Sequence, residues 1–559
     1  MHSAPLAAAV AGVGVLLLTA CSDSGRLLDA SRTAGERKAA AALEAALANP
    51  LELRAFLFRM PKGADLHNHL SGAVYAESWL RAAKEDGLLI DRSSSRFVKP
   101  PTGEHEGQHT KAGKGSVSDA CPPDLPATPI DINAKMPDGK PRYMPAASIY
   151  RDQHQFDAFV DLFSMRNFVA SSGNTAHDHF FDTFGKLPST DRSHLGEWVQ
   201  EVAVRAAAQN EQYLELMHTP KPSGMSDIVK LVEKDVEDVE HLDPKPILPI
   251  IGKGVGEARQ ELDRIEATRR RLGHCGQREQ MAACKVEVRY IYQVSRGKPK
   301  CQVLASTLFG FALASADPRV VGINFVMPED GTFSMLDYAT HMRYVRFFHA
   351  LYPKVRIALH AGELAPGLVP PEGLCCHIRK AIEAGAERIG HGVDIMYETG
   401  PYDGPQESPY ELLDIMAKKH VMVEINLSSN DLILGIVGDK HPFPIYRKHA
   451  VPVALSTDDE GISRIDLTHE YVRAVQAYGL HYADLKQIVR TSLEHSFLPG
   501  TSLWKKPDQF AAPVAACADD RLGSEKPSSP CSDFLEANER AREQWELERR
   551  FVAFEATFH

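Results

Sequence analysis

Four short polar motifs carry the residues of this chain that could do chemistry. They are His67-Asn68-His69 in PKGADLHNHLSG, His360-Ala361-Gly362-Glu363, His391 in RIGHG, and Asp458-Asp459 in LSTDDE. Each follows a short apolar run. In an extended strand, residues i and i+2 point to the same side. His67 and His69 can therefore share one metal ion. His360 can add a third nitrogen and Asp458 a carboxylate. Three histidines and one aspartate make a plausible zinc set with a position left open for water, whose pKa the metal lowers toward neutrality. A lone His-x-His is as often a plain pair on a surface strand. With His360 and Asp458 in matching places, the metal reading is far stronger.

The remaining motif residues suit proton handling. Glu363 lies three residues after His360, past Gly362, where small residues let the backbone turn close to a ligand. A carboxyl shielded there has a raised pKa and can donate a proton. His391 sits between Gly390 and Gly392. It can take or orient the proton of the attacking water, or act as a fourth ligand. Asp459 is expected to face away from Asp458, as successive strand residues do, and so to bind a donor on the substrate.

A fold must bring these distant residues to one place. Eight apolar runs read as strands: DLHNH (65–69), YLELM (213–217), VRYIYQVS (288–295), VVGINFV (320–326), RIALHAGE (356–363), RIGHG (388–392), VMVEINLSS (421–429) and VPVALSTDD (451–459). Helical patterns such as GLCCHIRKAIEAGA and ELLDIMAKKH lie between them. This alternation implies an α/β chain folded as a (β/α)8 TIM barrel, whose active site sits at the C-terminal strand ends. The motif residues all fall there. Residues 31–58 read as a helix broken or kinked at Asn49-Pro50. Residues 92–147, 264–285 and 504–531 read as insertions. Within 148–184, IYRDQHQFDAFVDLFSMRNFV (149–169) reads as an amphipathic helix, followed by HFFDTFGKL. Its aromatics are read as core rather than as the lining of a substrate mouth.

The first residues carry a different signal. Residues 7–18 are apolar but too short to span a bilayer as a helix. They run into Leu18-Thr19-Ala20-Cys21, which resembles a bacterial lipobox. The expected layout is a signal peptide over 1–20, a tether and helix over 21–58, and the barrel over 59–559. The chain is then exported and held at a membrane by a lipid on Cys21. A formal net charge of -11 without a long Lys/Arg run argues against a nucleic-acid partner. Of the nine cysteines, eight remain beyond Cys21, and export permits disulfides. Cys275/Cys284 and Cys517/Cys531 are the expected local pairs. Adjacent Cys375 and Cys376 are not expected to join. No Cys-x-x-Cys occurs, which argues against a cysteine zinc site.

PKGADLHNHLSG, HAGE, RIGHG and STDD, with EINLSSN, HPFPIY and TSLEHSFL, resemble the adenosine deaminase family, especially its extracellular growth-factor-like branch. The likeness covers roughly residues 55–500. It implies one zinc ion held by His67, His69, His360 and Asp458, and hydroxide attack on C6 of a purine nucleoside. It also implies that Glu363 protonates N1, His391 handles the hydroxide proton, and Asp459 bonds N7. Adenosine or 2′-deoxyadenosine would become the 6-oxopurine plus ammonia. Two positions depart from the family pattern. Ser71 stands where an Asp contacts the ribose, and Met327 where a Gly offers its N–H to the purine. Both bear on specificity more than on chemistry, so another 6-aminopurine compound is the alternative substrate. A purine-binding lipoprotein without catalysis is the remote alternative. Growth-factor-like relatives often dimerise through extra N-terminal helices. Residues 31–58 could do so in a homodimer, or could pack on their own barrel.

Overall fold

All eight apolar runs form strands of one parallel sheet, because their side chains are buried on both faces by the barrel interior and the surrounding helices. The computed structural model describes residues 33–100, 130–187, 194–401 and 404–559. In chain order the strands are β1 (Gly63–His69), β2 (Leu89–Asp91), β3 (Arg96–Val98), β4 (Tyr143–Pro145), β5 (Glu211–His218), β6 (Glu287–Ser295), β7 (Val320–Val326), β8 (Arg356–Ala361), β9 (Arg388–His391), β10 (Met422–Ile425) and β11 (Val453–Leu455). The large sheet runs β1-β5-β6-β7-β8-β9-β10-β11. It closes through a parallel bridge between Asn68 and Asp458. There the His69 N–H donates to the Asp458 carbonyl at 3.1 Å, and the Asp458 N–H to the His67 carbonyl at 2.8 Å. The molecule is a (β/α)8 barrel.

The N-terminal helices belong to this barrel. Residues Ala34–Ala46 and Pro50–Arg59 are helical. Asn49 ends the gap between them by accepting the Leu51 N–H, with Pro50 in the first turn, where its missing N–H costs nothing. Leu43, Leu53, Phe56 and Leu57 are buried in the main core, and Phe56 meets Phe554 and Tyr482 edge-on. The helices thus pack on their own barrel.

Several boundaries differ from the sequence expectation. Within 92–147, the described residues build β3 and β4, which flank β2 in a small antiparallel sheet. The first part of 264–285 continues the long helix Leu248–Leu272, and the rest is a turn ending at β6. Residues 149–169 are not one helix: a 3-10 turn over Ala146–Arg151 precedes Gln153–Leu162, which Asp152 caps. The run VMVEINLSS is a strand only to Ile425, and Leu427–Leu434 is helical. The polar Ser428-Ser429-Asn430 cannot continue a strand buried on both faces, but a helix can turn them toward the barrel mouth. The 504–531 segment packs Leu503, Trp504, Phe510 and Cys517 against Trp545 as a small satellite core. Disulfides join Cys275 to Cys284 and Cys517 to Cys531. Contrary to expectation, one also joins Cys375 to Cys376. Cys376 takes a left-handed backbone there, with φ of 80°. Cys21 lies outside the described residues.

Candidate active site

The ends of β1, β8 and β11 bring His67, His69, His360 and Asp458 together at the C-terminal mouth of the barrel. Each histidine is held by its outer nitrogen. His67 Nδ1 donates to Glu424 Oε2 at 2.6 Å. His69 Nδ1 lies 2.6 Å from Gln293 Oε1, and His360 Nδ1 2.9 Å from Asn324 Oδ1. All three partners accept, so the three protons sit on Nδ1 and three Nε2 lone pairs converge. His69 Nε2 and His360 Nε2 are 3.2 Å apart. Asp458 Oδ1 lies 3.2 Å from His69 Nε2 and 3.4 Å from His67 Nε2. Lone pairs and a carboxylate facing one another at this range repel unless a cation stands between them. Burial disfavours a second proton on His67, yet Asp458 and Glu424 outweigh it and hold the imidazole up at about 10, so Nε2 draws a cation, a metal ion or a proton in its place. The cluster is built for positive charge, and a metal ion fits it. Among the described residues, His67 Nε2 has no hydrogen-bond partner.

The support continues below the ligands. Glu424 Oε1 takes the fully buried Arg388 Nε at 2.7 Å, and Arg388 also pairs with Glu215 at 2.6 Å. Burial opposes the charge on Glu424, but Arg388 outweighs it and keeps the carboxyl below its usual range. Asp458 Oδ2 accepts the Ser429 hydroxyl at 2.6 Å. Asp458 itself is left-handed, with φ of 60°. This turn, rather than strand alternation, is what separates its direction from that of Asp459.

Glu363 is buried beside this cluster. Burial first, then the charges of Asp458 and Glu329, pushes its carboxyl well above the usual range. Its loop is anchored by Glu329, which accepts the Gly362 N–H at 3.1 Å and the Glu363 N–H at 2.8 Å. His377 Nδ1 donates to the same carboxylate at 2.5 Å. Gly362 has φ of 77°, and a Cβ there would stand 2.9 Å from Ile378 Cδ1, so only glycine suits the turn. Asp459 is buried, with Oδ1 unpartnered, and burial pushes it up to about 7. Gly72 makes room for it, because a Cβ on Gly72 would overlap the Asp459 side chain. His391 is fully buried, with Nε2 unpartnered and 3.8 Å from Asp458 Oδ2.

These groups open onto a cavity of about 510 Å³, a size that suits a small-molecule ligand. Ser71, Met327, Asp459 and Glu363 line it. So do Phe180, Phe181 and Phe184 from the helix Ala176–Lys186. The aromatic stripe read as core therefore also forms the mouth. Met327 is 42% exposed, with φ of 94°. Its backbone is left-handed, which is why a glycine suits this position. Glu329 anchors a loop and Asp330 pairs with His177, so neither lines the cavity. The sequence reading assigned no role to Gln293, Asn324, Glu424, Ser429 or Asn430. Gln293 and Asn324 carried a signal, since each is an amide inside an apolar strand. Such a side chain, once buried, needs a partner.

Fold and site together define a barrel with a buried His/Asp cluster at its C-terminal mouth that could hold a metal ion. The sequence model of the adenosine deaminase family, "Adenosine deaminase", matches residues 190–503. The chain belongs to the adenosine deaminase family. It is 34% identical to an adenosine deaminase of Escherichia coli O1:K1 / APEC over 144 residues, which is 25% of this chain and 38% of that protein. The match thus spans well under half the length of that relative. Among solved structures, it is similar to Arabidopsis ADAL complexed with GMP, at TM-score 0.47 and 19% identity, covering 80% of this chain and 94% of that one. It is also similar to an amidohydrolase from Burkholderia ambifaria with bound Zn, at TM-score 0.49 and 15% identity, covering 90% and 95%.

Proposed function

We propose that this chain is a zinc-dependent deaminase that converts adenosine or 2′-deoxyadenosine, with water, to the corresponding 6-oxopurine nucleoside and ammonia. The observation that carries the reading is the convergence of three imidazole lone pairs and Asp458 beside the buried acid Glu363. His67, His69, His360 and Asp458 would hold one zinc ion per chain. A zinc ion held there supplies Lewis acidity and water activation near neutral pH. The protein's own groups do the rest. Glu363, kept protonated by burial, donates to N1 of the purine as water adds at C6. His391 Nε2 faces the same space and hydrogen-bonds the attacking water. Asp459, raised to about 7, has a protonated form that can donate to the acceptor N7. The aromatic mouth shields the reacting centre from bulk water.

The test is ammonia release by the purified full chain from adenosine, 2′-deoxyadenosine, adenine and AMP, with and without a zinc chelator. Fast, chelator-sensitive turnover of the two nucleosides is expected. Zinc-loaded protein that releases ammonia from none of them would sink the reading.

One observation favours a second reading, an anionic 6-aminopurine nucleotide as substrate. Among the described residues, Lys298 is exposed at the cavity and is the only Lys or Arg that lines it, while Ser71, which also lines it, is neutral. A phosphate would meet a cation there and no carboxylate at position 71. Turnover of AMP well above that of adenosine would select this reading.

We further propose export and a lipid anchor at Cys21. The apolar residues 7–18, the Leu18-Thr19-Ala20-Cys21 sequence and the disulfides among the described residues support it, since such bonds persist in oxidising compartments. Cys21→Ser should release the chain from membranes, and continued membrane association would refute the anchor.

A further inference from the structure

His391 differs from the three candidate ligands in what faces its outer nitrogen. Their Nδ1 atoms meet acceptors. His391 Nδ1 meets donors: Asn430 Nδ2 at 2.9 Å and Asn426 Nδ2 at 3.4 Å. Glu363 Oε1 stands farther off, at 3.5 Å. The Asn430 amide is oriented from its other side, where its Oδ1 receives His441 Nε2 at 3.0 Å. The tautomer of His441 is set in turn by the backbone, because the Phe443 N–H donates to His441 Nδ1 at 3.1 Å. A backbone amide can only donate, so His441 Nδ1 accepts and its proton sits on Nε2. His441, Asn430 and His391 are all buried. Burial lowers His441 to about 3, which keeps it neutral.

The four groups form a chain of hydrogen bonds with one direction. It starts at a backbone N–H that cannot reverse, passes through His441 and Asn430, and ends on His391 Nδ1. The proton of a neutral His391 is left on Nε2, which has no hydrogen-bond partner among the described residues and faces the cluster. We propose that Asn430 and His441 are positioning residues that lock His391 in the Nε2–H tautomer, making it a hydrogen-bond donor to the attacking water and not a fourth metal ligand. The tautomer follows from the geometry alone. Its consequence for turnover rests on the deaminase reading above.

Asn430→Asp is the sharpest variant. It keeps the shape, but a carboxylate only accepts, so the His391 proton moves to Nδ1 and a lone pair on Nε2 turns toward the metal. On the zinc-loaded enzyme we expect kcat to fall about 10²–10⁴-fold, as for loss of an acid–base group or a wrong-tautomer histidine. KM should change little, and zinc should be released more slowly as His391 becomes able to bind it. His441→Ala should lower kcat in the same way. His441→Gln, whose amide N–H can reach Asn430 Oδ1, should restore most of the loss. The direct readout is NMR of the full chain with ¹⁵N-labelled histidine, with His391 assigned by its loss in His391→Gln. The wild type should show the proton on Nε2, and Asn430→Asp should show it on Nδ1. A wild-type proton on Nδ1 would overturn the proposal. So would wild-type kcat in Asn430→Asp, or equal impairment of His441→Ala and His441→Gln, which would mark His441 as merely structural. If the wild type deaminates no purine, the function fails while the spectrum still decides the tautomer.

Discussion

Gly72→Ala should disable Asp459 without touching it. Gly72 lies in the short helix Leu70–Ala73, and its backbone is not left-handed, so alanine is conformationally allowed. The obstacle is space. A Cβ on Gly72 would sit 2.7 Å from the Asp459 Cβ and closer still to the carboxyl group. Rotation about χ1 can swing the carboxyl away, but it cannot move the Cβ. That atom must retreat by about 0.7 Å to reach ordinary contact, and the carboxyl must move farther, out of the cavity. The bond between protonated Asp459 and N7 is neutral and contributes ~0.5–1.5 kcal/mol. Its loss corresponds to a drop of roughly 2–10-fold in kcat/KM. Overpacking should also lower folding stability by about 1–3 kcal/mol. The assay is a double-mutant cycle of Gly72→Ala and Asp459→Ala in kcat/KM, with metal content measured for each variant. Because the alanine acts through Asp459, the double variant should be no slower than Asp459→Ala alone. Strictly additive losses would show that Gly72 acts elsewhere. A Gly72→Ala enzyme with unchanged kcat/KM would remove Asp459 from substrate recognition altogether.

Glu363→Gln should keep its metal and lose about 10²–10⁴-fold in turnover, and near-normal rates would exclude it as the acid. Its raised pKa makes the protonated acid present at neutral pH and lost as pH rises through that value. Wild-type kcat should therefore fall on the alkaline side, and that limb should vanish in Glu363→Gln. Asn324→Ala frees the His360 ring, and metal affinity measured by competition with a chelator should fall about 10–100-fold; unchanged affinity would deny Asn324 its orienting role. Met327→Gly removes a side chain from a left-handed position and should stabilise the fold by about 1 kcal/mol in urea denaturation. A loss of stability would mean that the Met327 side chain, which lies over Gly297, contributes more than its backbone strain costs.

The architecture was legible because every barrel strand is an apolar run and four of the eight lead into a motif. A strand buried on both faces leaves that mark even in one sequence. The residues that meet at the mouth were legible because His, Asp and Glu at strand ends are costly to place without a purpose. What supports them was not. Glu424, Asn324 and Gln293 lie inside strands, and only the folded register shows that they reach the Nδ1 atoms of His67, His360 and His69. The role of His391 stayed open between ligand and proton handler. The deciding atoms lie on a helix 39 residues later and beyond. The first turn of helix 427–434, residues 427–429, was read as strand because it continues the apolar run from Val421, and period alone does not mark where a strand becomes a helix.

The left-handed residues show how the mouth is built and where it should give way. Met327 follows β7, Gly362 follows β8, His391 ends β9, and Asp458 follows β11, with φ of 94°, 77°, 70° and 60°. For non-glycine residues this conformation costs about 1–2 kcal/mol each. A strand that simply ran on would carry its next side chains out toward the helices. The left-handed step swings the chain across the barrel mouth, so His391 and Asp458 reach the axis. Strain is thus concentrated at the site. The seam beside it is also thin. Several paired residues join β5 to β6, whereas β1 and β11 meet through the Asn68/Asp458 bridge, whose two hydrogen bonds involve the backbones of His67, His69 and Asp458. A metal ion on these side chains would therefore clamp the seam that closes the barrel. Removing it takes away the clamp across that seam. Hydrogen exchange should then accelerate first at the amides of His69 and Asp458, while those of β5 and β6 stay protected. Equal acceleration in all strands would mean the metal stabilises the whole barrel and not its seam. No acceleration at His69 and Asp458 would mean that the strained mouth is held by packing alone.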